Sequence, residues 1–169
     1  MKRKLLLTLL ALLPMFASAY DAEIDGIYYD FSGNEAEVVK NWEKEYSGDV
    51  IIPESITYDD KTYSVTSISS LAFNCCRSLI SVTIPNSMTS IGDDTFSGCR
   101  NLISVTIPNS VTSIGICAFQ YCYSLTSVNI PNNVTSIGRH AFDSCRSLTS
   151  ITIPNKVTRI EDESFYNCI

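Results

Sequence analysis

The chain repeats itself every 23 residues. Phe73, Phe96, Phe119, Phe142 and Phe165 keep that step, and so do Cys76, Cys99, Cys122, Cys145 and Cys168. Leu79, Leu102, Leu125 and Leu148 follow it, then Val82, Val105, Val128 and Ile151, then the Ile-Pro pairs that begin at Ile84, Ile107, Ile130 and Ile153. Met88, Val111, Val134 and Val157 form a further column, and Ile91, Ile114, Ile137 and Ile160 another. Gly92, Gly115 and Gly138 come directly after that last column, until Glu161 breaks the series. A unit this short cannot bury its apolar side by itself. A fixed period therefore predicts stacked units that share one continuous core.

Inside a unit, the stretch around Ser104-Val105-Thr106-Ile107 alternates small polar and β-branched apolar residues, the pattern of a half-buried strand. Proline ends it, because Pro has no N–H to give a parallel ladder. A second short strand runs up to the glycine, which is expected to turn a corner with positive φ. The Ala-Phe-x-x-Cys piece suits a single helical turn with Phe and Cys on one face. The predicted fold is a repeat solenoid, with a parallel β-sheet, short second strands and single helical turns.

Residues 51–76 form a degenerate first copy. Ile52-Pro53 precedes Ile84-Pro85 by 32 positions instead of 23, and the insertion around Tyr58-Asp59-Asp60-Lys61-Thr62-Tyr63 reads as a hairpin. Residues 20–50 lack the period and are expected to form an N-terminal β cap, with Trp42 in its core. Residues 77–169 hold four repeats, the last incomplete. The chain stops where the next leucine strand is due, and open solenoid ends need cover. Either a longer array continues there, or self-association with a second copy covers the end.

Residues 1–19 have the parts of a secretory signal: Lys2, Arg3 and Lys4, an apolar run over 5–16, and the small residues Ala17-Ser18-Ala19, with cleavage expected before Tyr20. Twelve apolar residues interrupted by Pro14 fall short of the roughly 20 needed to span a bilayer, so no membrane insertion is expected once the signal is removed. Removing this segment takes away three basic and no acidic residues, so the formal charge moves from −6 to −9. Such a balance argues against nucleic acid or anionic lipid as a bulk-charge partner.

Seven cysteines in an exported chain invite a disulfide framework. Equivalent residues of neighbouring coils lie about 4.8 Å apart, within bridging range. Their Cβ bonds point in parallel, however, which favours a buried ladder of reduced thiols at Cys76, Cys99, Cys122, Cys145 and Cys168. Cys75 and Cys117 fall outside that column and are the more reactive candidates.

One column carries residue types that could do chemistry: Asp94, Cys117, His140 and Glu163. Cys117 beside His140 has the make-up of a thiolate and its base, or of two zinc ligands. A straight row fits tetrahedral ligation poorly, and the plainer reading is a solvent-facing position that varies among polar types. No catalytic residue, metal ligand or cofactor is assigned on this basis.

Two other sets of columns point to binding. Ser81, Ser104, Ser127 and Ser150 run beside Thr83, Thr106, Asn129 and Thr152, a hydroxyl-rich and nearly uncharged strand face. Such a face can hydrogen-bond to protein backbone or glycan. Ser and Thr also simply suit an exposed strand surface. An ice lattice would need a flat face, whereas the sheet of a solenoid curves. Arg77, Arg100, Tyr123 and Arg146 form a basic stripe that either grips a carboxylate-bearing partner or neutralises nearby acidic side chains. The Asn86, Asn109, Asn132 and Asn155 column is expected to satisfy corner backbone groups.

The unit LISVTIPNSVTSIGICAFQYC and the opening YSGDVIIPESITYDDKTYSVTSI resemble the BspA-type leucine-rich repeat family of bacterial surface and secreted proteins, over roughly residues 46 to 169. The resemblance implies a right-handed leucine-rich-repeat solenoid and, for some members, adhesion to host or neighbouring-cell proteins. It supplies no catalytic motif. The expectation is a non-enzymatic, secreted or cell-surface binding module that contacts an extracellular protein or glycan. A structural spacer is the rival, and a thiol or metal activity at Cys117 and His140 comes third.

Overall fold

The computed structural model describes residues 20–168, so the expected leader lies outside the described residues. The cap comes first. Strands β1 (Ala22–Ile24), β2 (Ile27–Ser32) and β3 (Glu35–Val38) form an antiparallel meander. β4 (Gly48–Ile51) follows, then the hairpin of β5 (Ser55–Tyr58) and β6 (Lys61–Ile68). Asp59 and Asp60 close that hairpin with φ of 48° and 60°. Paired positive φ values match the right-handed twist of the flanking strands, and short polar side chains tolerate them. β3 pairs in parallel with β6, which joins the cap to the first coil.

Each of the next three coils adds one strand to each of two parallel sheets. β7 (Leu79–Thr83), β9 (Ser104–Thr106) and β11 (Ser127–Val128) continue from β4 in the order β4-β7-β9-β11, and Ile151 bridges to Val128 beyond them. The second sheet holds β8 (Ser90–Ile91), β10 (Ser113–Ile114) and β12 (Ser136–Ile137). The repeat sheet thus begins at Gly48, three residues before the first copy as read from the sequence. Asp49, Val50 and Ile51 sit opposite Ser81, Val82 and Thr83.

Between the sheets, each coil closes through the Phe-Cys arc. Cys99 donates its N–H to Phe96 O as a helical turn would, but no helix forms. Two residues per arc are left-handed. Leu71, Asp94, Cys117, His140 and Glu163 have φ between 53° and 66°, and Cys75, Tyr121, Ser144 and Asn167 between 54° and 61°. Such backbone turns alternate N–H groups toward the next coil. Phe96 and Gly98 donate to Ala118 O and Gln120 O, and Phe119 and Tyr121 to Ala141 O and Asp143 O. This third ladder offsets the conformational cost, about 1–2 kcal/mol per residue for a non-glycine.

The repeat glycines act differently from expectation. None of Gly92, Gly115 and Gly138 has positive φ. A Cβ on Gly115 would lie 2.7 Å from Asp93 N and one on Gly138 2.6 Å from Ile116 N, so at these two positions the coils touch and leave no room for a side chain, whereas at Gly92 nothing comes nearer than 3.4 Å. In the last coil Glu161 takes the place of the glycine. Among the described residues no strand pairs with β12 on its outer side, and Ile160 is 54% exposed where Ile137 is 1%.

The leucine, valine, isoleucine and phenylalanine columns fill the interior. Tyr46, Phe73, Phe96, Phe119, Phe142 and Phe165 form one pile of rings with centroids 4.5 to 5.4 Å apart. Tyr46 begins the pile because its hydroxyl serves the cap: it accepts from Tyr28 N and donates to Val39 O. Trp42, expected in the cap core, is 70% exposed with the Lys40 ammonium over its ring. The asparagine column also departs from expectation. The corners close through backbone bonds such as Val111 N to Pro108 O, while Asn86 donates to the Glu54 carboxylate.

Candidate binding surface

The β4-β7-β9-β11 sheet turns its valines inward and its flanking residues out. Ser104, Thr106, Ser127, Asn129, Ser150, Thr152 and Thr83 are exposed, and Ser81 is half-buried because its hydroxyl donates to the Asp49 carboxylate at 2.6 Å. Parallel register keeps the columns straight, with Ser81 opposite Ser104 and Thr83 opposite Thr106. The structure therefore brings all eight predicted sheet residues onto one face. Asp49 and Ile51, the latter 72% exposed, extend that face by a coil. Their offset of 32 is that of Ile52-Pro53, so extending the match three residues upstream finds them. Ile80 and Ile103 add an exposed apolar margin that the polar columns alone did not suggest.

The basic stripe lies at the corner between the Phe-Cys arc and this sheet. Tyr123 is held between two guanidinium groups, with the Arg100 Cζ 5.5 Å and the Arg146 Cζ 4.9 Å from its ring centroid. Tyr121, 42% exposed, meets Tyr123 edge-on at 6.1 Å. Among the described residues no arginine of the stripe is in ion-pair contact with a carboxylate. Among the described residues the arginine–carboxylate pairs are Arg139–Asp162 and Arg159–Glu161. Arg77 stands one coil lower, its backbone N–H donating to the Glu45 carboxylate, and is not part of the sandwich.

The Asp94, Cys117, His140 and Glu163 column is a backbone column first, since all four residues are left-handed. Burial raises the Cys117 thiol pKa, and Asp94, Asp143 and Asp93 raise it further. Carboxylates disfavour the thiolate, the reverse of what a nucleophile needs. His140 Nδ1 faces the Glu163 and Asp143 carboxylates at 3.4 and 3.6 Å. Among the described residues, no group of three or more His, Cys, Asp and Glu side chains is placed to hold a metal ion.

All seven cysteines are free. In the ladder, Cys99, Cys122, Cys145 and Cys168 each point at the preceding coil, donating S–H to the carbonyls of Phe73, Phe96, Phe119 and Phe142 at 3.0 to 3.2 Å. Burial pushes the Cys76 thiol up to about 11, and pushes Cys99, Cys122 and Cys145 up as well. Cys75 is exposed.

A sequence profile of the BspA type leucine rich repeat region matches residues 51–169 in six copies. No curated protein matches the chain. Among solved structures, a leucine-rich repeat protein of T. pallidum superposes with a TM-score of 0.72 at 28% identity, covering 84% of this chain and 64% of its own. One from Bacteroides ovatus reaches 0.59 at 32% identity, covering 80% and 42%. One from Bacteroides capillosus reaches 0.67 at 24% identity, covering 77% and 95%, and speaks to the fold. The chain spans less than two thirds of the length of the first two proteins.

Proposed function

Because the chain belongs to the BspA-type leucine-rich repeat family, we propose that it is a non-enzymatic extracellular binding module whose β4-β7-β9-β11 face contacts protein or glycan. One observation carries the reading: two straight columns of hydroxyl and amide groups, from Ser81 and Thr83 to Ser150 and Thr152 and exposed except at half-buried Ser81, with an apolar margin at Ile80 and Ile103. Solenoids provide extended surfaces of this kind. Uncharged hydroxyls cost far less to desolvate than charged groups and can pair with backbone amides or sugar hydroxyls. The signal-like leader supports export to the cell surface or medium. The environment of Cys117 disfavours a thiol enzyme.

The test is retention of purified extracellular-matrix proteins and neutral glycans by the immobilised chain and by Thr106→Arg. That substitution places a long cation at the centre of the face without touching the core. Partner capture that weakens by about tenfold or more supports the reading. A spacer, the rival, captures nothing specific, and capture indifferent to Thr106→Arg removes this face from the binding surface.

A further inference from the structure

The geometry points to the Arg100–Tyr123–Arg146 corner as a site for acidic polysaccharide, lying along the solenoid axis with Tyr121 as a sugar platform. The inference rests on the reading of the chain as a binding module and adds the chemical class of one ligand.

Four observations carry it. Arg100 is contributed by one coil, Tyr123 by the next and Arg146 by the one after, so both faces of the Tyr123 ring are covered by guanidinium groups. Stacking of this kind holds the planar forks in place and leaves their N–H edges free for anions, which lowers the ordering cost of binding. Among the described residues, neither arginine has a carboxylate in ion-pair contact, although the chain carries 18 acidic residues against 12 basic ones. Asp143, the nearest carboxylate in the sequence to Arg146, is buried and tied to Gln120 and Ser144.

The remaining two observations select the ligand class. Tyr123 spends both ring faces on the arginines, whereas Tyr121 beside it keeps an exposed ring. An apolar ring next to cationic forks suits a pyranose that carries carboxylate or sulfate: the C–H face of the sugar stacks and the anion is gripped. The two arginines are also two coils apart, about 10 Å at the ordinary inter-strand spacing. Anions on one face of an extended peptide recur about every 6.8 Å and miss that spacing, while anionic groups on alternate units of a sugar chain stand two rings apart, a separation that suits two forks two coils apart.

The net charge of −6 opposes polyanions at long range, so recognition is short-range and weakens with salt. The test uses the full chain against heparin as the sulfated probe, polygalacturonate as the carboxylated probe, dextran as the neutral one and polyglutamate as the acidic peptide. Expected is retention of at least one acidic polysaccharide, with dextran unbound and polyglutamate weaker. The double variant Arg100→Gln/Arg146→Gln loses at least about tenfold in affinity, and Tyr121→Ala a few-fold. Arg139→Gln, a basic residue outside the corner, leaves binding unchanged. Since these side chains are exposed or at the rim, an unaltered melting temperature certifies each variant. Equal or tighter binding of polyglutamate, retention by the double variant, or binding of no acidic polysaccharide each overturns the inference. Capture that remains sensitive to Thr106→Arg in those cases leaves the broader binding reading standing.

Discussion

A Cβ built on Gly138 would lie 2.6 Å from the carbonyl carbon of Gly115. The two backbones therefore meet where the second sheet of one coil passes to its corner, and the contact is to main chain, which cannot rotate aside. Gly138→Ala is expected to destabilise the protein by about 1–3 kcal/mol or more, as overpacking does. Gly92→Ala is the matched control. Its added carbon meets nothing nearer than 3.4 Å and its φ is not positive, so the change is neutral or stabilising by about 0.4–1 kcal/mol through the unfolded chain. Urea midpoints of the two variants decide this, and equal losses would refute the close-approach account.

Relief of a left-handed residue should do the opposite. Cys117 has φ of 53°, and no hydrogen bond of its thiol compensates among the described residues. Cys117→Gly is expected to raise stability by about 1 kcal/mol, read from the urea midpoint. A loss of more than that amount would mean that the thiol makes packing contacts that outweigh the backbone strain.

Thiol reactivity follows burial. Native protein treated with an alkylating reagent near pH 8 should label at Cys75 first and Cys117 more slowly, because the carboxylates around Cys117 hold its proton on. Cys76, Cys99, Cys122 and Cys145 should label only after unfolding. Intact-mass analysis against time counts the sites, and early modification of any of these four cysteines contradicts the buried arrangement.

The same thiols make the fold sensitive to alkali. Burial raises Cys76 from an ordinary value near 9 to about 11. A thiol whose pKa is higher folded than unfolded contributes stability that is complete below pH 9 and lost as the pH rises through 11. The contribution of Cys76 is on the order of 2 kcal/mol, and the other ladder thiols act in the same direction. Melting temperature in reductant should therefore fall steeply between pH 9 and 11, and a flat profile there would contradict the shift.

How much of this was legible in the sequence depends on who a residue's neighbours are. Phe96 stacks on its own equivalents one coil away, and Leu102 and Cys99 are buried in the same core, so a column of like residues is a direct statement about packing, and the stacked core followed from it. The alignment of Arg100, Tyr123 and Arg146 was readable for the same reason. What those arginines contact was not, because the acidic residues near them in sequence lie on other faces or are buried. The left-handed arc was hidden as well. Leu71, Cys117 and Tyr121 have no preference for positive φ, and inter-coil hydrogen bonds impose it. Trp42 misled because a lone large aromatic suggests a core, while the cap already fills its interior with Tyr28, Tyr29 and Tyr46.

Glu161 offers the sharpest test of how the second sheet is built. That sheet contains β8, β10 and β12, the strands followed by glycine, and it stops at the coil whose glycine is replaced. In the paired coils Thr135 N donates to Thr112 O, and Gly138 N to Ile114 O. The matching donors of the next coil, at Thr158 and position 161, make no such backbone bond. If the side chain at 161 is what holds that segment away, Glu161→Gly should let it close onto β12. The N–H groups at 158 and 161 should then gain hydrogen-exchange protection, and Ile160 should become less exposed. Local closure of this kind is worth about 1 kcal/mol per hydrogen bond formed, or roughly fivefold slower exchange or more at those two sites. Unchanged exchange in Glu161→Gly would place the cause in the residues of the coil other than Glu161, and the rule that glycine admits each new strand would fall.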